Sequence, residues 1–244
     1  MTDSAVEWFQ GWFGERYLEL YPHRNEEEAR RGVQTLLKLA ELTSGARVLD
    51  LACGAGRHLR PLEQAGHAAF GLDLSWPLLA EARVRQPKAR LVRGDMRWLP
   101  FRSGAFEAVT SFFTSFGYFA TPEEDRLVAG EIRRLLRPGG VFVLDFLNAG
   151  RVAAELVPHD VQTVGGATIT QRRTIENGIV IKRIVVERQG AREEFEERVR
   201  LYGRDALEGL LERSGLRTDR ALGDYTGEAF AADSPRLILF GHAA

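Results

Sequence analysis

The sequence predicts an α/β fold: a doubly wound, mostly parallel seven-stranded sheet with helices on both faces, interrupted by an antiparallel β-insertion. Three observations predict it. Short apolar runs at 47–51, 68–72, 90–92, 106–112 and 141–147 alternate with helical stretches at about 57–66, 76–86 and 122–137. Strands separated by helices of that length pair in parallel beneath helical layers. After Asn148 the alternation gives way to consecutive strands around Asn177-Gly178, a dipeptide suited to a two-residue hairpin because both central positions need positive φ. Finally, 244 residues with 44% hydrophobic and 27% charged side chains fill a core without disulfides or metals.

Residues 1–45 read as an N-terminal helical cap. Asn25 is placed to cap a helix whose first turn holds Glu26, Glu27 and Glu28, acids that favour the positive end of the helix dipole. Val33, Leu36, Leu37 and Ala40 follow a helical spacing, and Gly45 is expected to end it. Ahead of it stand Trp8, Phe9, Trp12, Phe13, Tyr17 and Tyr21. Residues 46–150 and 203–244 form the α/β core. There Arg137-Pro138-Gly139-Gly140 is expected to stop a helix and turn the chain into the fifth strand. Helix 204–213 and strands near 216–222 and 236–241 complete the sheet.

Residues 151–202 are the insertion, with strands Ala167–Glu176, Ile179–Arg188 and Arg192–Tyr202. The last puts Phe195, Val199 and Leu201 on one face and Glu194, Glu196, Arg198 and Arg200 on the other. This sheet is expected to be a lid or wall of a binding pocket. Its apolar face would also suit a subunit interface, so a homo-oligomer stays open.

Composition excludes several classes. With 33 basic and 34 acidic residues the molecule is no general trap for phosphate backbones. No run approaches the ~18 apolar residues of a membrane span. The acidic start, Met1 to Glu7, has no apolar core of a signal peptide. The single Cys53 fits a reducing compartment. A cytoplasmic protein without membrane partners is expected. The five histidines show no metal-ligand spacing, so no metal is expected.

The chemistry concentrates in Val48-Leu49-Asp50-Leu51-Ala52-Cys53-Gly54-Ala55-Gly56-Arg57-His58-Leu59, where an apolar strand runs through two glycines into a helix. Such a turn lets backbone approach a ligand closely. A dinucleotide fingerprint would need a small residue where Leu59 stands. A carboxylate at Asp50 would repel a pyrophosphate but welcome a ligand carrying an ammonium and a sulfonium. Here the sequence resembles the class I S-adenosylmethionine-dependent methyltransferases, whose first motif is acid-x-x-x-Gly-x-Gly. Asp50, Gly54 and Gly56 match it.

Further motifs arrive in that family's order. Asp73 ends the second strand, and the resemblance gives it the ribose hydroxyls, a bidentate role suited to a carboxylate. Gly94-Asp95-Met96 ends the third strand, and the resemblance gives Asp95 the adenine amino group and Met96 the ring. Ala52 and Arg57 in the glycine loop, Leu74, and Phe112 at the end of the fourth strand are further expected cofactor contacts. Trp12, Tyr17 and Tyr21 are candidates for cation–π contact with the sulfonium. The resemblance covers residues 47–148 and is loose elsewhere.

The cofactor implied is S-adenosyl-L-methionine, with S-adenosyl-L-homocysteine as product, and the reaction is in-line methyl transfer to a nitrogen or oxygen of a small molecule. No Asn/Asp-Pro-Pro-aromatic motif follows the fourth strand, which with the neutral charge counts against nucleic acid. The expected acceptor-side residues are Phe116, Tyr118, Arg198 and Tyr202, with Tyr118 and His23 as catalytic candidates. His58 reads as structural. A nicotinamide-dependent oxidoreductase, an RNA or protein methyltransferase, and a non-enzymatic cofactor-binding protein are the alternatives.

Overall fold

Strand β1 (Arg47–Leu51) forms the centre of the molecule because its side chains Val48, Leu49 and Leu51 are buried on both faces, the pattern of a strand with helices above and below. The computed structural model describes residues 7–21 and 26–244. Around β1 stand β2 (Ala68–Asp73), β3 (Arg90–Arg93), β4 (Phe106–Ser111) and β5 (Leu136–Leu147), with β10 (Leu216–Leu222) and β11 (Arg236–Ala243) at one edge. The sheet order is β10-β11-β5-β4-β1-β2-β3. Only β11 runs against its neighbours. Successive strand residues feed opposite layers. Leu49, Val109 and Leu144 pack with α6 (Pro122–Leu135) and α8 (Arg204–Arg213), whereas Val48, Ala108 and Val143 pack with α3 (Glu26–Ala40) and α4 (Leu59–Gln64). Chain order reverses between β1 and β4, so a crevice opens beyond their carboxyl ends.

Helix starts follow local chemistry. The Ser75 hydroxyl accepts from the Leu78 amide at the head of α5 (Trp76–Arg85). Thr121 and Glu124 make a reciprocal capping box at α6. The α3 helix ends at Ala40, not Gly45: Glu41 takes φ 44° and leaves the helix first. Asn25, expected to cap it, lies outside the described residues. Strand β5 begins earlier than expected. Arg137-Pro138-Gly139-Gly140 forms a bulge inside it, since Phe106 pairs with Leu136 and Ala108 with Val141.

The insertion holds one strand more than the sequence indicated. It is a four-stranded antiparallel sheet ordered β6 (His159–Val164), β7 (Ala167–Glu176), β8 (Ile179–Arg188) and β9 (Ala191–Arg200). Val161, Gln162 and Thr163 of β6 are exposed, so this strand has no apolar alternation to announce it. The Phe195 side does not offer an open subunit interface. It packs on the N-terminal helices α1 (Trp8–Trp12) and α2 (Glu15–Leu20): Trp12, Tyr17 and Leu20 share one buried cluster with Ala167, Ile169, Ile184 and Val186. The Trp12 and Phe195 rings lie 4.8 Å apart.

Candidate active site

The crevice contains a cavity of about 680 Å³. Its floor is the glycine loop. Gly54 takes φ 54°, and a side chain there would meet only Leu78 at 3.8 Å, so bare backbone faces the cavity. Gly56 is different: at φ 75° its Cβ would sit 3.1 Å from Ala82 and 3.3 Å from Leu59. Its role is helix packing, and it does not line the cavity.

Asp73 accepts from the Gly54 amide at 2.7 Å and the Ser75 amide at 2.8 Å. Burial raises its carboxyl to about 6, with those two amides opposing the rise. Asp95 also lines the cavity, but Arg97 grips both its oxygens, and the same guanidinium reaches Glu7 and Glu124. The structure thus uses Asp95 to tie the N-terminal segment to α6. Ala52, Arg57, Leu74, Met96, Phe112, Tyr17 and Tyr21 all face this cavity.

Asp50 does not. It is 1% exposed and lies under the loop, with Thr110 Oγ1 3.2 Å from Oδ1 and His58 Nδ1 3.3 Å from Oδ2. The side chain that reaches the cavity from this position is His58, stacked on Phe112 at 4.2 Å. The expectation that Asp50 itself meets a ligand is corrected: the loop closes over it.

A second cavity, about 730 Å³, lies between the ends of β4 and β5, helix α7 (Ala149–Ala154) and the inner face of the four-stranded sheet. The two cavities share Phe13, Phe113 and Tyr118. Phe13 and Tyr118 stack at 5.7 Å. Phe113 and Thr114 are consecutive non-glycine residues at φ 64° and 58°, a conformation costing about 1–3 kcal/mol each and kept only where surroundings enforce it. Asp145 enforces it: its carboxylate accepts from the Phe113 amide at 2.7 Å, and its carbonyl accepts from the Thr114 amide at 2.9 Å. Asp145 is fully buried, gripped by Arg236 through both oxygens and by the Tyr225 hydroxyl. The Arg57 and Arg236 guanidiniums lie 4.4 and 4.7 Å from the Phe113 ring.

Three acceptor-side expectations are corrected. Phe116 is 1% exposed in the main core. Tyr202 is buried and donates to Asp125 Oδ2 at 2.8 Å. Arg198 points outward and pairs with Glu196 at 2.5 Å. None of the three lines either cavity. Tyr118 does, and His23 lies outside the described residues.

The sequence reading missed Phe13, Phe113, Asp145, Arg236, Arg173, Lys182 and Glu197. Two left a signal. Asp145 is a lone acid within an apolar strand, between Leu144 and Phe146, and Glu197 interrupts the apolar face between Phe195 and Val199.

These features define a doubly wound α/β protein with a cavity over its glycine loop and a second pocket beside it. A family profile described as a methyltransferase domain matches residues 48–140. The dTDP-3-amino-3,4,6-trideoxy-alpha-D-glucopyranose N,N-dimethyltransferase of Streptomyces venezuelae is 31% identical over 197 residues, 77% of this chain and 82% of that protein. The dTDP-3-amino-3,6-dideoxy-alpha-D-glucopyranose N,N-dimethyltransferase of Streptomyces fradiae is 32% identical over 199 residues, covering 78% and 77%. The fold matches that of an S-adenosylmethionine-dependent methyltransferase from Clostridium acetobutylicum, with TM-score 0.80, 19% identity and coverage of 93% and 95%. The chain belongs to the class I S-adenosylmethionine-dependent methyltransferases. It is an S-adenosylmethionine-dependent enzyme, and the nicotinamide-dependent alternative is not favoured. Among the described residues no helix is long and apolar enough to cross a membrane.

Proposed function

We propose that this enzyme methylates an amine on a small polar molecule of the amino-sugar type. One observation carries the reading: the glycine-loop cavity and the second cavity meet at Phe13, Phe113 and Tyr118, and the second contains the carboxylates Glu155, Asp160 and Glu197. Carboxylates beside an aromatic edge match an ammonium, and a pocket walled by the insertion suits a small acceptor better than a macromolecule. The relatives named for amino-sugar N,N-dimethylation support the same acceptor class.

In this reading Asp73 takes the ribose hydroxyls, and Asp95 and Met96 border the adenine. Ala52, Gly54, Arg57, Leu74 and Phe112 complete the nucleoside site, while Tyr17 and Tyr21 close it from the cap. S-adenosylmethionine, when bound, supplies an electrophilic methyl group on its sulfonium. The chain's task is to orient the acceptor nitrogen in line and exclude water, which supply much of the rate in such transfers. Tyr118, on the shared edge, is the catalytic residue this reading assigns, through its ring and hydroxyl together. A cytoplasmic location is part of the proposal.

The test incubates the protein with S-adenosylmethionine and dTDP-3-amino-3,4,6-trideoxy-glucose, following product by mass spectrometry. Addition of one and then two methyl groups is expected, and Tyr118→Ala should lower turnover at least tenfold while S-adenosylhomocysteine binding stays within threefold. If the protein binds S-adenosylhomocysteine yet methylates no member of an amino-sugar panel, the amine reading is wrong.

A further inference from the structure

A histidine that reads as structural in the sequence stands between a buried acid and the first cavity. His58 is 5% exposed, lines that cavity and stacks on Phe112. Behind it Asp50 is 1% exposed. Its Oδ1 accepts from Thr110, but among the described residues its Oδ2 makes no aligned hydrogen bond and faces His58 Nδ1 at 3.3 Å. A buried carboxylate held by so few partners is costly unless a positive charge lies near it.

The order of the sheet says which part of a ligand would supply that charge. Along β4, β1, β2 and β3 the cavity meets Phe112 and Phe113, then His58, then Asp73, then Asp95. With ribose on Asp73 and adenine by Asp95, as proposed above, the sulfur end falls at β1 and β4. That end lies beside the edge shared with the second cavity. His58 adjoins this edge, since Arg57, the residue before it, lies over the Phe113 ring.

We propose that the His58–Asp50 pair tells the cofactor from its product by the charge on sulfur. Facing a sulfonium, the imidazole is neutral and the pair carries one negative charge. Facing the uncharged thioether, the imidazole takes a proton from solvent and the pair is neutral. The inference rests on the placement of ribose on Asp73. A nearby cation favours a neutral imidazole and a nearby carboxylate a charged one, and histidine is the side chain whose charge changes between about pH 5 and 8. The other titratable or charged groups that face this end are Arg57 and Cys53 of the same loop, Asp73 of β2, Tyr118 after β4, Tyr225 behind Phe112, and Tyr17 and Tyr21 of the cap. Burial pushes the Cys53 thiol and the Tyr225 hydroxyl up, and an arginine keeps its charge. Asp73 titrates, but it meets the ribose that both ligands share. A difference between the two ligands therefore isolates His58.

The experiment is calorimetry of S-adenosylmethionine and of S-adenosylhomocysteine on the full chain without acceptor, at about pH 6.5, in buffers of different ionisation enthalpy. The dependence of the heat on buffer counts the protons taken up on binding. S-adenosylhomocysteine should take up more than S-adenosylmethionine, by about a third of a proton or more. By the same linkage, affinity for S-adenosylmethionine relative to S-adenosylhomocysteine should rise at least threefold from about pH 6 to about pH 8. His58→Gln should abolish both differences, and Asp73→Asn should keep them. Asp50→Asn should weaken S-adenosylmethionine at least fivefold while S-adenosylhomocysteine stays within threefold, which also reports that the variant has folded. Equal proton uptake by the two ligands in the parent overturns the proposal. So does a difference that survives His58→Gln or disappears in Asp73→Asn. If Asp73→Ala instead leaves both ligands bound as in the parent, it is the ribose placement that fails.

Discussion

The two cavities are built in opposite ways. The first cavity draws its glycine-loop, Asp73 and Asp95 contributions from the ends of single strands and the turns that follow them. Every one of these is a short contiguous segment at the carboxyl end of β1, β2 or β3. The second cavity draws on α1, the turn after β4, the end of β5, α7, β6, β7, β8, β9 and the start of β11, and one buried carboxylate holds the turn at its mouth. Asp145 holds the strained Phe113–Thr114 turn and is itself held by Arg236, distant in sequence. The floor of the first cavity is therefore set locally, while its roof, Phe13, Tyr17 and Tyr21, comes from the N-terminal cap. The second depends on long-range ion pairing.

The largest expected effect tests that dependence. Arg236→Met leaves Asp145 buried without its cation, which costs about 3–5 kcal/mol when a buried pair is broken. Urea unfolding should show the loss. A midpoint matching the parent's would mean Asp145 does not rely on Arg236 and that the contrast is overstated.

The proposed nucleoside site gives a smaller effect. Asp73→Ala should weaken S-adenosylhomocysteine by about 1–3 kcal/mol through loss of a charged acceptor, and should also lower the unfolding midpoint, because the Gly54 and Ser75 amides lose their acceptor. The same residue predicts a pH dependence. Its carboxyl titrates at about 6 because of burial, and hydroxyl donors favour the ionised form. Affinity should therefore be level above about pH 7 and fall as pH drops through 6, and Asp73→Asn should flatten the profile. Linkage gives the opposite sign for the ligand-free fold. A carboxyl raised above its unfolded value stabilises the protein less as pH climbs from about 4 to 6. An unchanged profile in Asp73→Asn would remove Asp73 from the ribose role.

The smallest effect sharpens the boundary between the motif and the structure. Asp50→Asn should change S-adenosylhomocysteine affinity no more than about threefold, roughly 0.65 kcal/mol, because His58 stands between it and the cavity. A loss as large as that of Asp73→Ala would restore Asp50 as a direct partner of the ligand.

The strand–helix alternation, the glycine turn and the acids closing β2 and β3 were legible in the sequence because each is a local pattern. Burial on both faces dictates apolar runs, and a left-handed turn at Gly54 dictates glycine. The hairpin at Asn177-Gly178 was legible for the same reason, with φ of 51° and 74° at those residues. Strand β6 was not, since most of it is exposed and carries no alternation. Nor could the sequence separate Tyr118 on the shared edge from Phe116 in the core two residues earlier. It could not show that Tyr202 would spend its hydroxyl on Asp125 and Arg198 its charge on Glu196. Those choices follow from which way a side chain faces once sheets and cap have packed. The sequence alone determined the sheet, the glycine-loop crevice and the cofactor class, whose determinants are separated by single turns. Only the tertiary structure decided the second cavity, because its walls are brought together by contacts across the whole chain, and no local spacing encodes a meeting of Phe13, Phe113 and Glu197.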